Sequence, residues 1–194
     1  MSNSSASLKT ASVILEGDRI RLRPLRIEDK EKSVAWRNDP QIRDRQLGYR
    51  FPVTEEMEAD WINKILRDQS GTRCILAIEE KDGGNLIGFI HLQDIDWVNR
   101  VSELGISIGD KSKHNKGFAG EAVALILAHA FGVFNFRRVW VRVAAFNATA
   151  LRLFESGGFV REGVLRQHIF LDGCAHDLIL LGILDTEFNS DKES

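Results

Sequence analysis

Three strand-like stretches, 73–80, 86–96 and 101–108, follow one another with no helix-length segment between them. Lys81-Asp82-Gly83-Gly84 supplies the first break, with residues that tolerate the positive φ of a tight turn, and Asn99-Arg100 supplies the second. Strands joined this closely pair antiparallel, because a parallel pair needs a crossover of about a dozen residues or more. The middle of the chain therefore reads as a meander. That excludes the strict strand–helix alternation of a doubly wound dinucleotide fold.

Around the meander the periodicities change. Arg19, Ile20, Arg21, Leu22 and Arg23 alternate with a period of two, which predicts a half-buried strand ending at Pro24. Glu28-Asp29 opens a helix over 29–38, and Asn38-Asp39-Pro40 stops it, since the residue before a proline is pushed out of the helical region. Thr54 is an N-cap for a second helix running to about Asp68. Glu55 and Glu56 sit at its positive end, and Met57, Trp61, Ile62 and Ile65 form its buried stripe. A long helix is predicted from Gly117 to about Phe134, with Ala122, Leu125, Ile126, Ala130 and Val133 facing inward. A strand at 138–144 and a short helix at 148–156, ended by Gly157-Gly158, come next. Two strands, 159–170 and 176–184, turn at Asp172-Gly173. The order is β-α-α-β-β-β-α-β-α-β-β. It describes one α/β domain with a mixed sheet over 13–188, between a serine-rich tail at 1–12, read as mobile, and a polar end at 189–194.

Composition then narrows the function classes. Lys plus Arg number 26 against 28 Asp plus Glu, a net charge of −2 with no basic block, so nothing favours nucleic-acid binding. No apolar run reaches the roughly 18 residues of a membrane span. The tail lacks the apolar core of a secretory signal. Cys74 and Cys174 have no metal-ligand spacing and suit a reducing, cytoplasmic setting. His91, His114, His129, His168 and His176 form no metal motif either, so no metal is expected.

Chemistry concentrates at His114-Asn115-Lys116-Gly117-Phe118-Ala119-Gly120, between the last meander strand and the long helix. A helix start leaves backbone N–H groups without partners and carries partial positive charge. Small residues at Gly117, Ala119 and Gly120 let a phosphate approach that backbone, and Lys116 adds a formal charge. An ordinary helix cap would look much the same. No nucleotide P-loop and no dinucleotide GxGxxG motif is present. Asn147 is a second candidate, as the N-cap of the short helix or as an amide facing a ligand.

The run Ser102-Glu103-Leu104-Gly105-Ile106-Ser107-Ile108, the spacing His114-x-x-Gly117-x-Ala119, and Asn147 through Glu155-x-x-Gly158-Phe159 together resemble the GNAT acyl-CoA N-acyltransferase superfamily. Ile20-Arg21-Leu22-Arg23-Pro24-Leu25, Trp36-Arg37-Asn38-Asp39-Pro40 and Arg161-Glu162-Gly163-Val164-Leu165-Arg166 resemble its RimJ/RimL branch, which acetylates ribosomal-protein alanine or spermidine. The resemblance spans roughly residues 18–185. It implies acetyl-CoA as cosubstrate, with the diphosphate on the main chain of His114 to Gly120, where His114 stands in place of the usual Gln or Arg. It also implies a bulge at Gly105, a pantetheine arm along Ile106, Ser107 and Ile108, and Asn147 gripping that arm from the far side. Dimerisation, common among such relatives, is a further implication.

The implied reaction is attack of a primary amine on the thioester. An ammonium has no lone pair, so a base must take its proton, and Glu103 occupies the family's acidic position. The tyrosine that protonates the leaving thiolate in many members corresponds to Phe154, which has no proton to give. Ser156, a nearby water, or departure of CoA as the thiolate would substitute, and since a free thiol has a pKa of about 8.5 the need for an acid is modest. The chain's only tyrosine, Tyr49, falls in the expected substrate loop. All four tryptophans read as core residues, with Trp36 and Trp97 the nearest candidates for an acceptor cleft, where Asp94 and Asp96 would attract a cationic amine. His168 falls in a late strand and His129 on the long helix, both read as packing or surface residues. The expected function is acetyl-CoA-dependent N-acetylation of a protein N-terminus, polyamine, aminoglycoside or amino sugar. The alternative is a noncatalytic acyl-CoA-binding or regulatory module.

Overall fold

The structure, a computed structural model, describes residues 15–47 and 51–190, so the tail at 1–12, Tyr49 and residues 191–194 of the polar end lie outside the described residues. The elements run β1 (Leu15–Glu16), β2 (Ile20–Pro24), a 3-10 turn (Ile27–Asp29), α1 (Lys30–Asn38), α2 (Pro40–Arg43) and α3 (Glu55–Leu66). There follow β3 (Cys74–Glu80), β4 (Leu86–Asp96), β5 (Val101–Ile108), a 3-10 turn (Lys111–Lys113) and α4 (Phe118–Gly132). The chain continues with β6 (Arg138–Ala144), α5 (Ala148–Ser156), β7 (Val160–Leu171), β8 (Cys174–Leu184) and α6 (Asp185–Ser190). The expected order lies within this list, with β1, α2 and α6 added to it.

The strands form one sheet in the order β1-β2-β3-β4-β5-β6-β8-β7. Every neighbouring pair is antiparallel except β5 and β6, which α4 joins as a crossover. On one face α4 packs Ala122, Val123 and Ile126 over Ile90, Leu92 and Leu104. On the other, Ile62 of α3 and the partly buried Trp36 and Trp61 cover Ala77 and Phe89. No described helix is long and apolar enough to cross a membrane.

Local chemistry accounts for the ends and for four departures from expectation. Thr54 Oγ1 accepts from the Met57 N–H at 3.3 Å, the predicted cap. Pro40 both stops α1 and opens α2 at its first position, with Asp39 Oδ1 capping Gln41 N–H at 2.9 Å. Met57 is exposed rather than buried, and Glu58 takes the inward position, where Ser33 Oγ donates at 2.5 Å and Arg37 at 2.7 Å. Val133 lies beyond the end of α4 and is exposed. Arg23, read as the polar side of a half-buried strand, is buried: its guanidinium grips Asp29 at 2.8 and 2.9 Å and also donates to Glu79. Cys174 stands exposed at the β7–β8 turn, whereas Cys74 packs against the core.

Candidate active site

The β5–β6 register covers only Val101↔Arg138, Ser102↔Val139 and Glu103↔Trp140. Beyond Glu103 the two strands part, while β5 stays paired to β4 through Ile108. The β6-facing edge of β5 is therefore without a strand partner along Gly105–Ile108, and a cleft of about 960 Å³ runs through the gap. The expected bulge at Gly105 is absent: its register with His91 is continuous with the pairs on either side. Gly105 instead makes room, because a Cβ there would collide with the His91 ring.

At one end of the cleft lies the loop between β5 and α4. Asn115 and Gly117 both adopt left-handed backbone, φ 57° and 83°, conformations suited to asparagine and glycine. The first helical bond is Glu121 N–H to the Gly117 carbonyl at 3.1 Å. The N–H groups from Asn115 to Gly120 have no acceptor among the described residues, as the start of a helix requires. His114 Nε2 is bonded to the Ile108 carbonyl at 2.8 Å, tying the loop to the end of β5. Arg19 braces the other side: it donates to the Lys116 carbonyl at 2.8 Å, pairs with Glu121 at 3.0 Å and lies over the Phe118 ring. Lys113 is paired with Glu80. Lys116 departs from expectation, since its side chain is exposed and does not border the cleft.

On the sheet face under α1 and α3, the cross-strand pairs Phe89↔Ser107, His91↔Gly105 and Gln93↔Glu103 stand side by side. Glu103 is buried, and Arg142 from β6 clamps it with two bonds of 2.8 Å while Gln93 Nε2 donates at 3.1 Å. Burial pushes the His91 imidazole below its ordinary pKa, and the Glu103 charge opposes that push only in part. Gln46 Nε2 donates to Ser107 Oγ at 2.8 Å, drawing the segment after α2 over the cleft. Asp94 borders the cleft at φ 49°, beside the register shift in β4.

Asn147 is the N-cap of α5: its side-chain oxygen accepts from Ala150 N–H at 3.2 Å, and its Nδ2 has no acceptor among the described residues. Phe154 borders the cleft with its ring packed edge-on to Phe159 at 5.2 Å. Trp36 borders the cleft against Phe89. Trp97 and Asp96 do not. Trp97 donates to the Gly71 carbonyl and packs on Phe134 and Phe136, and Asp96 caps the turn through the N–H groups of Val98 and Asn99. Trp61, expected only in the core, reaches the cleft beneath Arg37. Of the predicted site residues, the structure brings Glu103, Ile106, Ser107, Ile108, His114, Asn115, Gly117, Phe118, Ala119, Gly120, Asn147 and Phe154 to one cleft. Sequence reasoning missed His91, Arg142, Arg19 and Gln46, whose places depend on strand pairing or on contacts more than about fifty positions apart in the chain.

The sequence matches the acetyltransferase (GNAT) domain model over residues 19–160. It is 30% identical over 139 residues to the spermidine N(1)-acetyltransferase of Vibrio cholerae, covering 72% of this chain and 78% of that one. It is 29% identical over 178 residues to the putative ribosomal N-acetyltransferase YdaF of Bacillus subtilis, covering 90% of each. The crystal structure of Vibrio cholerae spermidine N-acetyltransferase in complex with CoA and spermine matches with a TM-score of 0.81 at 26% identity, over 89% of this chain and 99% of that one. The chain belongs to the GNAT acetyltransferase family.

Proposed function

We propose that this acetyl-CoA-dependent N-acetyltransferase holds the diphosphate of its donor on the main-chain N–H groups from Asn115 to Gly120. The acetyl group passes to a primary amine that is not a polycation, with a protein N-terminus or an amino sugar preferred over a polyamine or an aminoglycoside. One observation carries the reading. The parted strands β5 and β6 leave a strand-wide gap whose end is a row of unused N–H donors. Such donors, with the dipole of α4 behind them, suit a diphosphate. The open edge of β5 at Ile106 and Ile108 offers main-chain partners to the amide-bearing pantetheine arm, and Asn147, which borders the same cleft, has an amide donor to spare. Phe154 supports this arm only by apolar contact.

The preference in acceptor rests on charge. Arg37, Arg45, Arg73 and Arg142 border the cleft with Glu58, Asp94 and Glu103. Arg37 neutralises Glu58 and Arg142 neutralises Glu103, which leaves Asp94 as the unpaired carboxylate of this wall. Arg73 is paired with Asp68, so Asp94 can answer one ammonium, while the further charges of a polyamine meet Arg45 and no second free carboxylate on this wall. In a thiol-release assay with acetyl-CoA, an α-amino peptide or an amino sugar is expected to turn over faster than spermidine. Spermidine as the best acceptor would refute the charge argument. CoA binding with no turnover across the panel would favour the noncatalytic module.

A further inference from the structure

The carboxylate in the family's acidic position has both oxygens already engaged. Glu103 Oε1 accepts from Arg142 Nε and Oε2 from Arg142 Nη2, and Gln93 adds a third bond. An ammonium would have to displace Arg142 or Gln93 to reach it. One cross-strand pair further along the same face stands His91, over Gly105. Its ring occupies the space a side chain at position 105 would fill, and it borders the cleft where β5 leaves β6. Neither ring nitrogen has a hydrogen-bond partner among the described residues, and neither is wholly buried.

We propose that His91 is the base that takes the proton from the acceptor ammonium. The proposal rests on the acetyltransferase reading above. The ammonium gives one proton to an imidazole nitrogen, which frees the amine lone pair. The nitrogen bonds to the thioester carbonyl carbon, and the carbon–sulfur bond breaks with its electron pair on sulfur. The second proton leaves the new amide nitrogen and neutralises the thiolate, and the imidazolium returns its proton to water. The charged groups around His91 suit the task. Asp94, on its own strand and without an arginine partner, favours the imidazolium as it forms, and the Glu103 charge does so in part. Arg142 on β6, Arg37 on α1 and Arg73 before β3 are each offset by a carboxylate, Glu103, Glu58 and Asp68, which leaves Arg45 after α2 as the opposing charge. Burial keeps His91 neutral, with its lone pair free, near pH 7.

The same chemistry ranks acceptors. Giving a proton to an imidazole held below its ordinary value by burial is unfavourable for either amine, but the cost is about 10²-fold greater from a lysine-like ammonium of pKa about 10.4 than from an α-ammonium of pKa near 8. A weakly basic amine therefore gives up its proton to His91 at the lower cost.

The test is the pH profile of kcat/KM for an α-amino peptide. Wild type should rise from low pH and level off well below the pKa of the amine. His91→Gln should lose about 10²- to 10⁴-fold at pH 7 and should rise tenfold per pH unit until the amine itself deprotonates. Added imidazole should partly rescue His91→Ala. Glu103→Gln should still show a plateau, with its lower limb moved to lower pH because the Glu103 charge that favours the imidazolium is gone. A plateau that survives in His91→Gln and vanishes in Glu103→Gln overturns the proposal and returns the role to Glu103. If the His91 variants do not fold, two amines of different basicity on wild type decide: one shared lower limb supports His91, whereas limbs that track each amine refute it. Wild type that binds CoA and turns over no amine overturns the acetyltransferase reading and the proposal with it.

Discussion

Replacing Arg23 with methionine removes the hub of a buried charge cluster. Arg23, Asp29 and Glu79 are 4%, 5% and 2% exposed. Asp29 would lose a two-pronged guanidinium at 2.8 and 2.9 Å and keep only the Arg26 N–H at 2.7 Å. Glu79 would lose one bond but keep Arg21 at 2.6 Å and Arg26 at 3.5 Å, both partly exposed. Breaking a buried pair costs about 3–5 kcal/mol. The partners Glu79 retains put this case at the lower end, about 3 kcal/mol. At about 2–4 °C per kcal/mol for a domain of this size, the melting temperature should fall by roughly 6–12 °C. Asp29 is left the more exposed to the loss, so Asp29→Asn added to Arg23→Met should recover more stability than Glu79→Gln does. Urea unfolding of the two double variants provides the comparison. A single variant within about 0.5 kcal/mol of wild type, or a larger recovery from Glu79→Gln, would refute the reasoning.

Other outcomes follow from the same contacts. Gly117→Trp should abolish CoA binding, since position 117 needs φ 83° and a side chain there meets Arg19 Nη2 at about 3.1 Å; calorimetry showing wild-type affinity would remove the loop from the site. Asn147→Ala should lower stability by about 1 kcal/mol through loss of the α5 cap, read by urea midpoint. Burial raises the Glu79 carboxyl, but hydrogen bonds from Arg23 and Arg21 outweigh it and hold the group below the usual carboxylate range. A depressed pKa contributes stability above the ordinary value near 4.3 and loses it as pH falls through the folded value. Wild type should therefore lose more stability than Arg23→Met between pH 5 and 3, checked by urea titration at both ends.

What was legible in the sequence was what local rules control. Turn chemistry and hydrophobic periodicity located the meander, the long helix and the caps at Thr54 and Asn147. The glycines of the α4 loop announced a helix start open to an anion. Pairing across the chain was not legible. The alternating arginines at 19–23 looked like a solvated face, yet Arg23 finds Glu79 only because β2 and β3 lie side by side. Met57 gave way to Glu58 because Ser33 and Arg37 on α1 wait for a carboxylate. His91 had no reading of its own until the register set it over Gly105, and Glu103 looked free until β6 brought Arg142 to it. In each case the deciding partner was supplied by tertiary contact.

The central claim is that main-chain donors at the start of α4 hold the donor's diphosphate. Titration calorimetry with CoA and with pantetheine, which shares the arm but lacks the diphosphate, addresses it directly. CoA should bind at least about 100-fold more tightly, the loss expected when even two charge-assisted hydrogen bonds of about 1.5–3 kcal/mol each are missing. Equal affinity for the two, or no heat with CoA, would contradict the account.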